Sequence, residues 1–412
     1  MTPTICVIGL GYIGLPTALL FASAGSKVFG FDVDKQKINK LKKGYLPFEE
    51  NGLEKLFKKA RKNFFPVEKI EPAEVYIIAV PTPQDDGEAD LIYVLQAVDF
   101  IISVYRPGDA IVVESTVGPL DCKKRIIPAF KKVGLKDFKF AHCPERAIPG
   151  NTLYEMVNND RIVGGVTIAS TKYVSNLYSS FVKGKLFLTD ETTAATVKLM
   201  ENTYRDVNIA LANEFSIIAE KIGLDVWKAI ELANKHPRVN ILQPGPGVGG
   251  HCIPIDPWFL SKILKEGGLI KVVRNINDGM ANHIVSRLKH FMKKHKLVKS
   301  TIGILGYAYK KNVGDCRETP AEKIIELLSK NYKVLVNDPF VKGEAVTMEK
   351  IERILKVSSV IVLITDHDLY KNILFRKYSN VKLVFDTRNL FTKINMERSK
   401  ALLYKLGVGS DN

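Results

Sequence analysis

The first 32 residues constrain this chain more than any other stretch. An apolar run at residues 4–8 leads into Gly9-Leu10-Gly11-Tyr12-Ile13-Gly14, then a helix-forming run at 15–24, a second apolar run at 27–31, and Asp32. Strand, glycine turn, helix, strand and acid in that order make a dinucleotide-binding βαβ unit. Gly9 makes the tight turn, Gly11 admits a pyrophosphate, and Gly14 lets the helix pack on the sheet. The helix N-terminus then faces the negative phosphates, with Tyr12 and Ile13 completing the turn. Asp32 lies eighteen positions after Gly14. It would accept the ribose hydroxyls and repel a 2′-phosphate, favouring NAD over NADP, with Lys37 just beyond it on the cofactor side. A Rossmann domain that holds some other nucleotide is the competing reading.

The alternation continues. An apolar strand at 75–80 ends in Pro81-Thr82-Pro83, one at 110–114 ends in Ser115-Thr116-Val117, and one at 139–141 ends in His142-Cys143-Pro144-Glu145-Arg146. Ligands of open α/β sheets sit at the carboxyl ends of strands, so Pro81, Thr82, Thr116 and Glu145 are expected around the nicotinamide. Local turn or helix-capping roles compete for each. A helical run at 173–180 and a strand at 185–188 close this domain.

From residue 192 to 222 the pattern becomes one long helix with alanine-rich faces, interrupted by Lys198, Glu201, Asn202, Arg205, Asp206 and Asn213. Lys198 and Asn202 are four apart and so share a face; a solvated stripe is the plainer alternative. Further helices are expected at 227–234, 258–265 and 281–296. Between them lies Gly245-Pro246-Gly247-Val248-Gly249-Gly250-His251-Cys252, with Asp256 four residues on. So many glycines make neither a stable helix nor a good strand, and leave a bare backbone that a ligand can approach. A thiol beside such a loop, with a carboxylate near, suits covalent catalysis. A buried structural cysteine after a flexible turn would read the same way.

A second α/β sheet follows, with strands at 301–305, 333–336, 360–364 and 383–385 and a helix at 321–329. It echoes the first, down to Asp338 near the end of its second strand, but lacks the full glycine fingerprint. It is read as a nucleotide-sized domain that does not hold the dinucleotide. Lys310 and Arg317 at its sheet edge suit a phosphate and a uracil or ribose, or else form surface salt bridges. The expected architecture is therefore α/β: two Rossmann-like parallel-sheet domains, 1–190 and 299–412, joined by a long-helix central domain, 191–298.

Composition narrows the function. At 412 residues the chain is too long for one core. Its net charge of +16 could signal nucleic acid. The lysines, however, are spread along amphipathic stretches such as 35–43 and 289–299, and no zinc-finger spacing or aromatic RNA-binding signature accompanies them. No nucleic-acid partner is expected. No apolar run is long enough to span a bilayer, and the start lacks the regions of a signal peptide. Five widely spaced cysteines without a Cys-x-x-Cys pair argue against a disulfide framework or a metal site and for a reducing cytoplasm.

These pieces occur in the order seen in the nucleotide-sugar 6-dehydrogenases of the UDP-glucose/GDP-mannose dehydrogenase family, which the chain resembles over nearly its whole length. The resemblance rests on Gly9 to Gly14, Val80-Pro81-Thr82-Pro83, Ser115-Thr116-Val117, Cys143-Pro144-Glu145-Arg146, Lys198-Leu199-x-x-Asn202 and Gly249-Gly250-His251-Cys252. It implies four-electron oxidation of a sugar C6 hydroxyl with two NAD per turnover, through a Cys252 thiohemiacetal and thioester, as in polysaccharide biosynthesis. Asp256 and Thr116 would order the water that acts as base. Lys198 and Asn202 would hold the oxyanion, the lysine also depressing the thiol pKa. Glu145, with Asp256 a second candidate, would assist hydrolysis.

Segment 236–252, Asn159-Asp160-Arg161 and the run from Arg205 point within the family to a UDP-N-acetylhexosamine. UDP-N-acetyl-D-mannosamine is expected first, with UDP-N-acetyl-D-glucosamine and UDP-glucose as alternatives. The resemblance places Glu145, Arg146, Arg161, Lys198, Asn202, Arg205, His236, Gly249, Lys310 and Arg317 on the substrate. It also implies a homodimer in which Arg238 reaches the neighbouring active site. One departure is Tyr307-Ala308-Tyr309-Lys310, where relatives usually carry phenylalanine before the lysine. Two rivals remain: a β-hydroxyacid dehydrogenase, which lacks the cysteine and the second α/β domain, and an NAD-sensing or RNA-binding protein, which leaves the thiol loop without a purpose.

Overall fold

The computed structural model describes residues 2–85, 87–132, 134, 138–148, 150–264, 268–342 and 347–409. The chain forms two compact units, Met1–Glu201 and Asn202–Asn412, with the division falling inside the helix Glu191–Ile222. Among the described residues no helix is long and apolar enough to cross a membrane.

The first unit is built on one sheet. Its strands are β1 Ile5–Ile8, β2 Val28–Phe31, β3 Phe64–Val67, β4 Val75–Ile78, β7 Ala110–Val113, β8 Lys139–His142, β9 Arg161–Gly165 and β10 Leu186–Thr189, with a small hairpin of β5 Gln84–Asp85 and β6 Glu88–Ala89 beside it. The order is β10-β9-β8-β7-β4-β1-β2-β3. From β3 to β8 neighbouring strands run parallel, in the doubly wound order that reverses direction between β1 and β4. β1, β4 and β7 are buried along their whole length, as parallel strands covered on both faces must be.

One pairing departs from the expected parallel sheet, and the strands β3 and β9 were not foreseen. β9 pairs antiparallel with β8, and β10 continues beside it; β9 begins with an arginine and ends in two glycines, which hid it from a hydrophobic pattern. β3 carries Pro66, and sits at the sheet edge, where a missing N–H costs no ladder bond.

In the second unit the strands are β11 Ile302–Leu305, β12 Val334–Asn337, β13 Val360–Leu363, β14 Leu383–Asp386 and β15 Leu402–Lys405, in the order β12-β11-β13-β14-β15, all parallel. The expected four strands become five: the edge strand Leu402–Lys405 has only four residues, too few to show a period, and was not foreseen. The helix Gly268–Lys294 begins well before the expected residue 281. Its buried face holds Arg274 and Asn277 as well as Val273, Met280, Ile284 and Leu288, so the apolar period breaks where the helix does not. Its later half shares one core with Ile302, Ile304, Ile324 and Phe385. The helix expected at 258–265 is Asp256–Ser261, and residue 265 lies outside the described residues.

The turn after β11 is built differently from the turn after β1. Asp338 Oδ2 accepts the backbone N–H groups of Tyr307 and Ala308 at 2.7 and 2.8 Å, and faces His367 Nε2 at 2.9 Å. Its Oδ1 accepts Phe340 N–H at 2.8 Å. The Asn312 N–H donates to His367 Nδ1 at 2.9 Å, which leaves the imidazole proton on Nε2, pointing at the acid. Val341 N–H also donates to Asp338 Oδ1 at 3.2 Å, so both carboxylate oxygens are engaged within the protein. Burial pushes the Asp338 pKa up, but His367 and the amides of Ala308, Phe340 and Tyr307 outweigh it, and the carboxyl ends below its ordinary value.

A folded-state pKa below the unfolded one gives stability that is present above the ordinary carboxylate range and lost as the pH falls through the depressed value. Asp338→Asn is therefore expected to lower the thermal midpoint at pH 7 by roughly 5 °C, for a loss near 2 kcal/mol. In calorimetric scans the gap to wild type should narrow between pH 5 and pH 2; a gap constant with pH would contradict this account.

Candidate active site

In the first unit the cofactor turn follows β1 at the point where the strand order reverses. Gly9 has φ +90°, and a Cβ there would lie 2.5 Å from the Ala79 carbonyl oxygen. A Cβ on Gly14 would lie 1.8 Å from the Gly9 oxygen, so the helix Gly14–Ser23 meets the turn in the closest possible packing. A Cβ on Gly11, by contrast, meets no atom within 4 Å. Two glycines are thus required by the fold and the middle one opens onto empty space, which is the shape a pyrophosphate needs. Ile13, at the helix N-cap, provides no side-chain cap, so the first amides of the helix have no side-chain acceptor there.

Asp32 stands at the end of β2, nearly buried. Its Oδ2 accepts the Leu10 N–H at 2.8 Å and faces Lys37 Nζ at 2.6 Å, while Oδ1 accepts Asp34 N–H at 2.9 Å. Only one turn amide binds it, against two at Asp338. Tyr12 is half exposed and packs its ring on Phe48 at 4.4 Å. Pro81 and Thr82 follow β4, and Ser115 ties that end to β7: it donates to the Val80 carbonyl at 2.7 Å and accepts the Val80 N–H at 2.9 Å. Thr116, half-buried, is the next residue. These residues fit an NAD molecule at the turn.

Behind the strand ends lies a buried cluster that sequence reading resolved only in part. The Arg161 guanidinium donates to Glu114 Oε1 and Glu145 Oε2, both at 2.6 Å, and to Cys143 Sγ at 3.1 Å, and lies 4.2 Å over the Tyr178 ring. Glu114 also accepts hydrogen bonds from Tyr178 and from Thr17 on the cofactor helix, at 2.6 and 2.9 Å. Burial pushes its pKa up, against the pull of Arg161. Arg161, expected on the substrate, is buried among these groups, and its charge is balanced inside the protein, where it orients Glu145. Glu145 in turn accepts the amides of Arg146 and Ala147. Arg146 is bound to Glu201 and the Asp160 carbonyl. Glu114, Tyr178 and Thr17 were missed, since a Thr, a Tyr and a strand-end Glu far apart in sequence carry no shared spacing. Lys198, on the long helix Glu191–Ile222, is buried.

The thiol belongs to the second unit. Of the five cysteines Cys252 alone is exposed. Burial pushes Cys143 up to about 11 and Cys6 up to about 12, which makes them poor nucleophiles. Cys252 begins the turn that becomes the helix Asp256–Ser261, and its carbonyl accepts the Asp256 N–H at 2.8 Å. Asp256 is buried, and its Oδ2 accepts Asn202 Nδ2 at 2.6 Å. Two residues assigned to separate roles are thus one hydrogen-bonded pair.

The glycines before Cys252 are shaped by the segment 309–318. A Cβ on Gly249 would lie 2.5 Å from Tyr309 Cβ, and one on Gly250 2.9 Å from the Tyr309 ring; the Gly250 N–H donates to the Arg317 carbonyl at 2.9 Å. Arg317 makes a two-point pair with Asp315, at 2.9 and 2.6 Å, and these contacts raise the arginine's pKa and help lower the aspartate's. Lys310 is half-buried on the same segment. Arg205, His236 and Arg238 are exposed. Asp315 was not foreseen as a site residue; its position two before Arg317 was the available signal.

Three family models match the chain in order: the UDP-glucose/GDP-mannose dehydrogenase family NAD binding domain at residues 3–182, its central domain at 192–279 and its UDP binding domain at 303–393. A UDP-N-acetyl-D-mannosamine dehydrogenase of Methanococcus maripaludis is 46% identical over 401 residues, covering 94% of this chain and 92% of the relative. The structure of the UDP-D-ManNAc dehydrogenase of Pyrococcus horikoshii superimposes with a TM-score of 0.92 at 38% identity, covering 98% of this chain and 99% of the other. A UDP-N-acetyl-mannosamine dehydrogenase structure from Staphylococcus aureus gives 0.89 at 39% identity, with 98% of each chain covered.

The cofactor turn separates packing from binding. Gly11→Ala should leave the thermal midpoint unchanged yet weaken NAD binding by at least about tenfold, because the added methyl occupies the pyrophosphate's space. Gly14→Ala should lower both. Titration calorimetry and thermal scans on the pair decide it; a Gly11→Ala protein that binds NAD normally would place the cofactor elsewhere.

Proposed function

The chain belongs to the UDP-glucose/GDP-mannose dehydrogenase family, and on that premise we propose that it oxidises the C6 hydroxyl of UDP-N-acetyl-D-mannosamine to the carboxylate with two NAD per turnover. The protein is an NAD-dependent oxidoreductase of nucleotide sugars. The choice of sugar rests on its likeness to relatives named for UDP-N-acetyl-D-mannosamine. The observation that carries the reading is the exposed thiol of Cys252 on its glycine loop, with the buried Asp256–Asn202 pair beginning one turn on.

Bound NAD supplies the hydride acceptor for both oxidations. The protein's part starts with removal of the C6 hydroxyl proton by a water that Asp256 and Thr116 order, as C6 becomes an aldehyde. The Cys252 thiolate then forms an S–C bond to the aldehyde carbon, giving a thiohemiacetal. Lys198 and Asn202, one turn apart on the long helix, donate to its oxyanion, the type of fixed donor pair that stabilises developing charge. After the second oxidation the carbon is held as a thioester. Water adds to it, assisted by Glu145 or Asp256, the C–S bond breaks, and the sulfur leaves as thiolate.

Lys310 and Arg317 hold the UDP. Arg317 would do so with its guanidinium oriented by the two-point pair with Asp315. Arg146, Arg205, His236 and the Gly249 backbone complete the sugar side. The cytoplasm is the proposed compartment, since Cys252 must stay reduced to act.

The protein acts as a homodimer in which the partner subunit's Arg238 completes each site. Supporting this, Leu211, Ile218 and Ile222 on the long helix and Leu224 and Leu232 beyond it are exposed, together with a hollow lined by Phe215, Ile218, Val226, Ile230 and Ile241. An apolar surface of this kind on a charged protein marks an interface.

Two measurements test the proposal. With UDP-N-acetyl-D-mannosamine limiting, NADH should reach two equivalents and Cys252→Ala should abolish it, while UDP-N-acetyl-D-glucosamine and UDP-glucose yield little. Two equivalents from another sugar keep the chemistry and change the substrate; one equivalent, insensitive to the cysteine, sinks the thioester route. Mixing equal amounts of the inactive variants Cys252→Ala and Arg238→Ala should restore about a quarter of wild-type activity, since half the dimers then hold one intact site. No recovery despite subunit exchange would remove the shared site.

A further inference from the structure

We propose that Asp206, Arg274, Asn277 and Asn213 form a buried relay whose purpose is to position the Cys252 loop rather than to hold the fold together. The inference rests on the thiol reading above. All four side chains are buried in the second unit, two on the long helix Glu191–Ile222 and two on the helix Gly268–Lys294. Arg274 Nη1 donates to Asp206 Oδ1 at 2.6 Å, and its Nη2 bonds the half-exposed Asp278. Asn277 Nδ2 donates to the same Asp206 oxygen at 2.8 Å and to the Asp206 carbonyl at 3.1 Å. Asn213 Nδ2 donates to Asn277 Oδ1 at 2.8 Å. Finally the Gly245 N–H, at the start of the glycine loop, donates to Asn213 Oδ1 at 2.8 Å.

The order of donors and acceptors in this chain is not arbitrary. An amide side chain can be turned end for end, and nothing in its own shape chooses between the two orientations. Asp206 makes the choice at one end, through its carboxylate and its backbone carbonyl, and the Gly245 N–H makes it at the other. As a carboxylate Asp206 only accepts, so Asn277 must present its NH₂ there and its oxygen to Asn213. Asn213 must then present its NH₂ to Asn277 and its oxygen outward, to the Gly245 amide. Flip either asparagine and two like groups face each other in a buried space. One buried negative charge, balanced by Arg274, thus reinforces from one end the order that the Gly245 N–H requires at the other, and holds an acceptor at the point where the thiol loop begins.

The long helix repeats the device along the same segment. Asn208 accepts the Leu242 N–H at 3.0 Å and donates to the Asn240 carbonyl at 2.8 Å, and Asn202 donates to Asp256. Residues 240 to 256 are therefore pinned at several points by amides of one rigid helix. That suits a loop which, being glycine-rich, has no secondary structure to fix it.

A buried ion pair is a costly way to stabilise a fold, and matched apolar residues do as well or better. This separates the two roles. The double variant Asp206→Leu with Arg274→Met removes the charge that reinforces the amide order and the strongest acceptor of Asn277, keeps similar volume, and leaves Asp278 to solvent. It should keep or raise the thermal midpoint and keep KM for both substrates within about twofold, while kcat falls about tenfold to a hundredfold. Alkylation of Cys252 by iodoacetamide in the absence of NAD and sugar should change its rate and pH profile in parallel. If the double variant does not fold, Asn213→Leu, which leaves the ion pair intact, carries the same two readouts.

Wild-type kcat and alkylation in a folded variant would overturn the proposal. So would a joint fall in midpoint, kcat and affinity, or failure of both variants to fold, since each makes the relay a structural element only. Cys252→Ala run beside them keeps the two readings apart: if it still yields two equivalents of NADH, the thiol reading fails, whereas the alkylation rates still report on the loop.

Discussion

Both units depend on one backbone constraint, a left-handed glycine at the end of the first strand of each sheet. Gly9 and Gly306 have φ +90° and +92°, and each donates its N–H to the carbonyl that ends the adjacent strand, Phe31 or Asn337. L-residues with a Cβ rarely adopt that conformation, so the chain can turn sharply only there. What differs is the environment of the turn. After Gly9 the path needs Gly14 for packing and leaves Gly11 open; after Gly306 it continues through Tyr307 and Ala308, whose amides bind Asp338. The same fold thus yields a cofactor turn in one case and an anchored segment, carrying Lys310 and Arg317, in the other.

The charges that the protein buries follow a second rule. Arg161 and Arg274 are almost inaccessible, and each is balanced by a carboxylate at 2.6 Å. Leaving such a cation in a medium of low polarity without its partner would be prohibitive. Matched apolar side chains commonly replace a buried ion pair at little cost, so stability alone does not explain them. Each instead ends on a group with a proposed chemical role: Arg161 on Glu145, and Arg274, through Asp206 and two asparagines, on the loop of Cys252.

Much of this was legible in the sequence, and what was not has physical reasons. The βαβ unit could be read because its glycines, strand periods and acid are close together and each has a single steric purpose. The thiol loop could be read because no regular element tolerates four glycines in six residues. The early half of the helix Gly268–Lys294 could not, because Arg274 and Asn277 on its buried face look like surface residues until their partners 68 and 71 positions away are known. β9 and β15 escaped for a similar cause: one is short of apolar residues and the other is an edge. Arg161 was recognised as important but its partners Glu114 and Glu145 were not foreseen, since sequence shows a charge but not which carboxylate it meets.

The polar interruptions of the long helix carry the last step of this reasoning. An amphipathic helix that only packs would keep its buried stripe apolar. Along this helix the buried positions include Lys198, Asn202, Asp206 and Asn213. Their spacing of four, four and seven returns each to nearly the same angular position, given 3.6 residues per turn. A stripe of polar groups on a buried face is destabilising unless each meets a partner. Asn202 meets Asp256, Asp206 meets Arg274 and Asn277, and Asn213 meets Gly245. Asn202 and Asn213 thus break the local pattern where the helix reaches the thiol segment, and Asp206 where it meets the helix Gly268–Lys294; there polar contacts, rather than apolar packing, account for the sequence.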